Sequence, residues 1–149
     1  MDDQSSKKVF QFALCSLFVV AIAACSGSPK MDEARGDAQT QMMGVYSCYM
    51  QYTNKNRKAP GSIEDLQPLL SSSGLDTSNI LVSPRDGSEL VVLWGVKPDV
   101  RSAEPVVFGY ESQSHDGKRV AMTSMGVWVM SDEDFMNARF PAGHQAPAQ

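Results

Sequence analysis

The sequence predicts an α+β domain: a long N-terminal helix packed on a three- to four-stranded antiparallel sheet, behind a cleavable helical signal peptide. Three observations carry this. Apolar residues recur at spacings of three and four from Ala34 to Tyr52, as on one face of a helix. Valine- and aromatic-rich segments follow from Glu89 to Met130. An uncharged apolar run, Val9 to Ala24, precedes both.

The long helix is expected over 32–56, with Ala34, Ala38, Met42, Val45, Tyr49 and Tyr52 on its buried face. Asp32 and Glu33 in its first turn, and Lys55, Arg57 and Lys58 at its end, match the helix dipole. Pro60-Gly61 stops it. A short helix over 62–70 follows, with Ser62 and Asp65 as a capped start and Ile63, Leu66, Leu69 and Leu70 as its apolar side. Strands are expected at 89–96, 104–111, 118–124 and 126–130, with turns at Asp86-Gly87 and Asp116-Gly117, the second joining two antiparallel strands. Ser131 caps a last helical turn or two that opens on Asp132, Glu133 and Asp134. An antiparallel sheet with one apolar face must be covered, and the long helix is the only large partner for it. The domain thus spans 32–139, and 140–149 is expected to be a disordered tail.

Composition narrows the function. With 42% hydrophobic and 20% charged residues the chain is globular rather than wholly disordered. A net charge of -4 argues against a nucleic-acid binder, which would present a basic face. At the N-terminus Lys7 and Lys8 flank the apolar run, whose length of roughly fifteen residues suits a signal-peptide core better than the ~20 of a spanning helix.

That run ends on Ile22-Ala23-Ala24-Cys25, and the four residues resemble the lipobox of bacterial lipoprotein signal peptides. Small Ala23 and Ala24 leave the backbone open to a peptidase, and the Cys25 thiol is the group that can carry a thioether-linked diacylglycerol. The resemblance implies residues 1–24 as signal peptide, cleavage before Cys25, and acylation of the new terminus. Each buried methylene adds about 0.8 kcal/mol of membrane affinity, so two or three chains anchor stably. Ser26 stands where aspartate would favour inner-membrane retention, so the resemblance implies a lipid-anchored protein facing the periplasm, with the outer membrane favoured over the inner and 25–31 as the lipidated tether. An uncleaved signal anchor and a plain secretory signal are the alternatives. With Cys15 removed and Cys25 acylated, Cys48 is the one thiol left, so no internal disulfide forms, and its apolar setting makes it a buried small hydrophobe.

The helix-then-meander order is similar to the soluble part of type II secretion pseudopilins and type IV pilin-like proteins. The stretch "YMQYTNKNRKAPGSIEDLQPLL" resembles the segment where such proteins leave the long helix, turn and begin a short one. "SPRDGSE" and "YESQSHDGKRVAMTSMGVWVM" resemble their sheet region, and the likeness covers about 32–135. The chain departs from true pilins in lacking their Gly-Phe-Glu processing site, and processing at Cys25 would remove the helix that packs a filament.

Little in the sequence suggests catalysis. His115 in the "SHDGK" turn and His144 in the tail are the two histidines, neither with a second ligand at metal spacing. No G-x-S-x-G elbow, Walker loop or G-x-G-x-x-G fingerprint occurs. Some pseudopilins bind calcium in the sheet region, which makes Asp86, Glu89 and Asp99 the candidate ligands, but their spacing is not that of a defined calcium loop. Glu64-Asp65 and Asp132–Asp134 read as carboxylates at helix starts. Trp94, Phe108, Tyr110 and Trp128 read as core or half-buried sheet residues, with a small exposed aromatic patch as the alternative. The expectation is therefore a non-catalytic, lipid-anchored envelope protein with no cofactor, metal or small-molecule substrate. Its partners are the membrane, through Cys25, and envelope proteins of a secretion or pilus-like assembly. A structural or stress-related lipoprotein is the alternative, and a hydrolase with an unrecognised site is the third reading.

Overall fold

The computed structural model describes residues 29–147. The segment expected to be a signal peptide, with Ile22, Ala23 and Ala24 as its expected cleavage flank, Cys25 as the expected lipid-attachment residue and the first part of the expected tether, lies outside the described residues. Among the described residues no helix is long and apolar enough to cross a membrane.

Helix α1 runs Pro29–Asn56. It already includes Pro29, three residues ahead of the expected start at 32. Ala38, Met42, Val45 and Tyr49 are fully buried, at the spacings the sequence showed, and Cys48 beside them is a buried free thiol. Arg57 adopts a left-handed backbone (φ 60) immediately after Asn56, so the helix unwinds before Pro60-Gly61 is reached.

The second helix is displaced from its expected position. α2 spans Gln67–Ser72 rather than 62–70, because Pro68 has no N–H to bond the Glu64 carbonyl and the preceding residues stay in turns. Asp65 is therefore no first-turn carboxylate: its Oδ2 accepts the Gly61 N–H at 2.7 Å and ties off the turn after Pro60. Leu66 and Leu70 still bury completely.

Four strands, β1 (Leu90–Val92), β2 (Val107–Glu111), β3 (Lys118–Thr123) and β4 (Gly126–Ser131), form one antiparallel sheet in the order β1-β2-β3-β4. β1 is shorter than the apolar run 89–96 suggests, since Gly95 turns the chain at φ 76. Asp116 (φ 53) and Gly117 (φ 69) make the two-residue turn of the β2–β3 hairpin, closed by reciprocal His115–Lys118 backbone bonds of 2.8 and 3.0 Å. The register of β2 slips between Val107 and Gly109, a bulge that admits the Phe108 ring to the core. Gly109 lets Met122 pack close there, since a Cβ on it would lie 2.6 Å from Met122 Cε and displace that side chain.

α1 covers the first face of the sheet, against Phe108, Val120, Met122 and Val127. The second face is covered too, which the sequence reading did not foresee. α3 (Asp132–Met136), capped by the Ser131 side chain on the Asp134 N–H, sends Phe135 onto it. The chain then crosses the face, and the Val107 N–H donates to the Arg139 carbonyl at 2.8 Å. Phe140 packs edge-on against Tyr110 (6.1 Å between centroids) and Phe135 (5.4 Å). Phe140, at the start of the expected tail, is thus partly buried against this cluster, and Ala146 packs against it as well.

Candidate interaction surface

The residues singled out in the sequence do not converge on one site. Asp86, Glu89 and Asp99 form no metal-holding cluster, and no group of three or more His, Cys, Asp or Glu side chains that could hold one occurs among the described residues. Asp99 Oδ1 accepts the Arg101 N–H in a local turn, and Glu89 pairs with Val82 where loop 83–88 closes on the sheet. His115 is not a free turn residue. Its Nε2 reaches 3.1 Å from Asp86 Oδ2, without hydrogen-bond alignment, and pins the hairpin tip to that loop. Burial opposes ionisation of Asp86, yet Ser88 hydrogen bonding (N–H at 2.8 Å) and His115 outweigh it and hold the carboxyl below its usual value. Cys48 sits beside Ser73, and burial pushes its thiol up, away from the thiolate that nucleophilic chemistry needs.

A buried ionic network at the same end of the sheet had no sequence signal. Glu111, at the end of β2, is fully buried. Its Oε2 accepts from Arg85 Nη1 at 2.7 Å and from the Val120 N–H at 2.8 Å, and its Oε1 accepts from Ser83 Oγ at 3.0 Å. Arg119 lies with its guanidinium 4.2 Å from the centre of the Phe135 ring and reaches Asp132 Oδ1 at 3.3 Å. Asp132 Oδ2 in turn accepts from Ser114 Oγ at 2.7 Å. Charges paired and hydrogen-bonded this fully hold a loop in place; they leave no acid or base turned toward a ligand.

What the fold does leave open is on the second face, beyond the aromatic cluster. Phe108 and Tyr110 bury as expected and Trp94 half-buries, but Trp128 does not: its side chain stands 53% exposed on β4. Period-two alternation explains this. Val127 faces α1, so Trp128 must face the other side, and α3 is too short to cover it. Met125 (55% exposed) and Met136 extend the apolar surface, and Val129, which shares the face of Val127, is 38% exposed at the open edge of β4. Trp128, Met125 and Val129 line a shallow open groove of ≈ 650 Å³ with Val107, Met130 and Ala138. Its rim is polar. Arg139 Nη1 and Glu104 Oε2 pair there at 3.6 Å, both solvent-exposed, and Asp134 Oδ2 accepts from Ser131 Oγ at 2.7 Å. Thr123 Oγ1 is spent on the Gly126 carbonyl at 3.0 Å. An apolar floor with a rim of self-satisfied polar groups suits contact with another macromolecule.

Comparison with models of protein families, with curated proteins and with solved structures gives no match to this chain.

Proposed function

We propose that this chain is a lipid-anchored envelope protein whose pilin-like α+β domain makes non-catalytic contacts with other proteins, in a type II secretion or pilus-like assembly. The observation that carries the contact role is the exposed indole of Trp128, set in an apolar groove with Met125 and Val129. Large aromatic and methionine side chains are what buried interface centres are made of, and a soluble domain gains nothing by leaving them in water. The anchoring role rests on Ile22-Ala23-Ala24-Cys25, and the pilin-like assignment on one long helix followed by an antiparallel meander. Tethering through Cys25 would confine the domain near the bilayer and raise its effective concentration for partners held there.

The test is in-cell photo-cross-linking from position 128, with position 43 on the exposed side of α1 as control, in the native chain and in Cys25→Ala. The expected result is a small set of assembly components captured from position 128 alone and lost with Cys25→Ala. The same proteins captured from both positions would sink the groove as a contact surface. Fatty-acid label retained by Cys25→Ala would sink the anchor.

A further inference from the structure

We propose that β4 is a self-association edge, through which two copies of this chain join their sheets by antiparallel pairing of β4 with β4 about Val129. The inference rests on the contact-domain reading only in using the same surface. β4 ends the sheet, and among the described residues no strand pairs with its outer side. Its parity follows from two facts. The Asp132 N–H donates to the Gly117 carbonyl at 3.0 Å, and β4 matches β3 residue for residue from Lys118–Ser131 to Thr123–Gly126. In an antiparallel ladder the bonded pairs alternate. Residues 126, 128, 130 and 132 therefore bond inward, and the backbone groups of Val127, Val129 and Ser131 point outward.

Natural edge strands are guarded by lysine, proline, a bulge or a covering element. β4 reads GVWVMS, with no charge, no proline and an unbroken register. Two-fold pairing about Val129 uses all three outward residues: Val129 meets Val129, and Val127 meets Ser131. On the second face each Trp128 then lies across from the other copy's Met130, a sulfur–aromatic pairing.

Charge selects the direction of the pairing. The acidic first turn of α3, Asp132 to Asp134, comes beside the uncharged β3–β4 turn of the other copy, not beside its acidic twin. The two acidic turns end up roughly 20 Å apart, beyond a Debye length. A parallel pairing would set them against each other. The exposed parts of Trp128, Met125 and Val129 amount to roughly 300 Å² of apolar surface per copy, well under the ~800 Å² of a stable interface. The dimer is accordingly weak, formed where copies are concentrated on one surface.

The test is sedimentation equilibrium of the full chain in detergent micelles from about 10 µM to about 1 mM, with a charge pair at the exposed turn residue Met125. Met125→Lys places a cation beside the other copy's acidic turn and should tighten association about three- to tenfold. Met125→Glu should weaken it by a similar factor. Position 125 lies in an exposed turn, so both variants keep the fold, and circular dichroism checks this. In a background with Cys48 replaced by serine, Val129→Cys should form a symmetric disulfide, since bonded antiparallel partners sit ~5.5 Å apart at Cα. Met43→Cys on the far side of α1 should not. A wild type that stays monomeric at all concentrations, equal effects of the two Met125 charges, or cross-linking at 43 as fast as at 129 would each overturn the proposal. A monomer that still cross-links to other proteins from position 128 would remove the self-pairing and leave the contact-domain reading standing.

Discussion

Arg85→Met should destabilise this domain more than any other single change at its loop 83–88. The Arg85 side chain is 4% exposed and that of Glu111 is fully buried, with 2.7 Å between Nη1 and Oε2. Removing the guanidinium leaves the carboxylate two donors, Ser83 Oγ and the Val120 N–H, and no counter-charge. Breaking one side of a buried pair costs about 3–5 kcal/mol, against a total domain stability of roughly 5–15 kcal/mol. The variant should remain folded with its urea midpoint lowered by roughly 1–4 M. Glu111→Met should cost a similar amount, because it strands Arg85 and also leaves the Val120 N–H without its acceptor. The double variant removes both charges, keeping mainly the unpaired N–H and the lost Ser83 bond, worth about 1–3 kcal/mol. The two singles should therefore overshoot the double by at least about 2 kcal/mol in a double-mutant cycle. Urea unfolding followed by circular dichroism reads all four corners. Additive effects, or an Arg85→Met cost under about 1 kcal/mol, would refute the reasoning that this pair is a buried, mutually dependent clamp.

Three further outcomes follow from single contacts. Phe140→Ala should lower stability by about 1–3 kcal/mol, since its partly buried ring fills the angle between Tyr110 and Phe135, whereas truncation after Phe140 should cost far less; thermal unfolding separates the two. Tyr49, buried with its hydroxyl donating to the Val96 carbonyl at 2.6 Å, has its pKa pushed up to about 12 from 10.0 by burial. Its stabilisation is complete below pH 10 and lost as pH rises toward 12, a loss of roughly 2–3 kcal/mol, so Tyr49→Phe should flatten the alkaline limb of the stability curve. Asp86, whose carboxyl is held below its usual 3.8, contributes stability above that pH which fades as pH falls through its lower folded value. Asp86→Asn should therefore lose less stability on acidification than the native chain does, as read by pH-dependent urea midpoints.

The elements legible in the sequence are those whose pattern is a matter of local period. The α1 face of Ala38, Met42, Val45 and Tyr49, the four strands, the Asp116-Gly117 turn and the Ser131 cap each depend on residues within a few positions of one another. The misplaced features depend on a partner far along the chain or on one missing atom. α2 starts late because Pro68 lacks a single N–H. Glu111 closes a strand whose other residues are apolar or aromatic, and nothing local tells that Arg85, 26 residues earlier, returns to neutralise it. Phe140 sits between Arg139 and Pro141 in a polar context, and its burial is decided by the Tyr110 and Phe135 rings on the second face. Trp128 reads as core by type, but among the described residues no element covers the end of that face, and its side chain stands in solvent. The apolar run ending on Cys25 is the most specific signal in the chain, and it lies outside the described residues.

The two ends of the sheet differ in how their side chains are satisfied. At the hairpin end, Glu111, Arg85, Arg119, Asp132 and the His115–Asp86 contact tie loop 83–88, the β2–β3 turn and the start of α3 to one another. At the β3–β4 turn the polar groups are satisfied locally, and apolar side chains stand in solvent instead. β4 connects the two, because Ser131 and Asp132 anchor its far end while Trp128 and Met125 project from its near end. Exposed apolar surface on a mobile strand would invite aggregation, whereas on a strand held at one end by ion pairs it keeps a defined shape at little conformational cost on binding. Loosening the clamp should therefore weaken contacts at Trp128 even though no residue of the clamp touches a partner. Arg85→Met, at temperatures where it is still folded, should reduce cross-linking from position 128 while Glu104→Gln, on the exposed rim, leaves it unchanged. Undiminished cross-linking in Arg85→Met would mean that the groove holds its shape without the network.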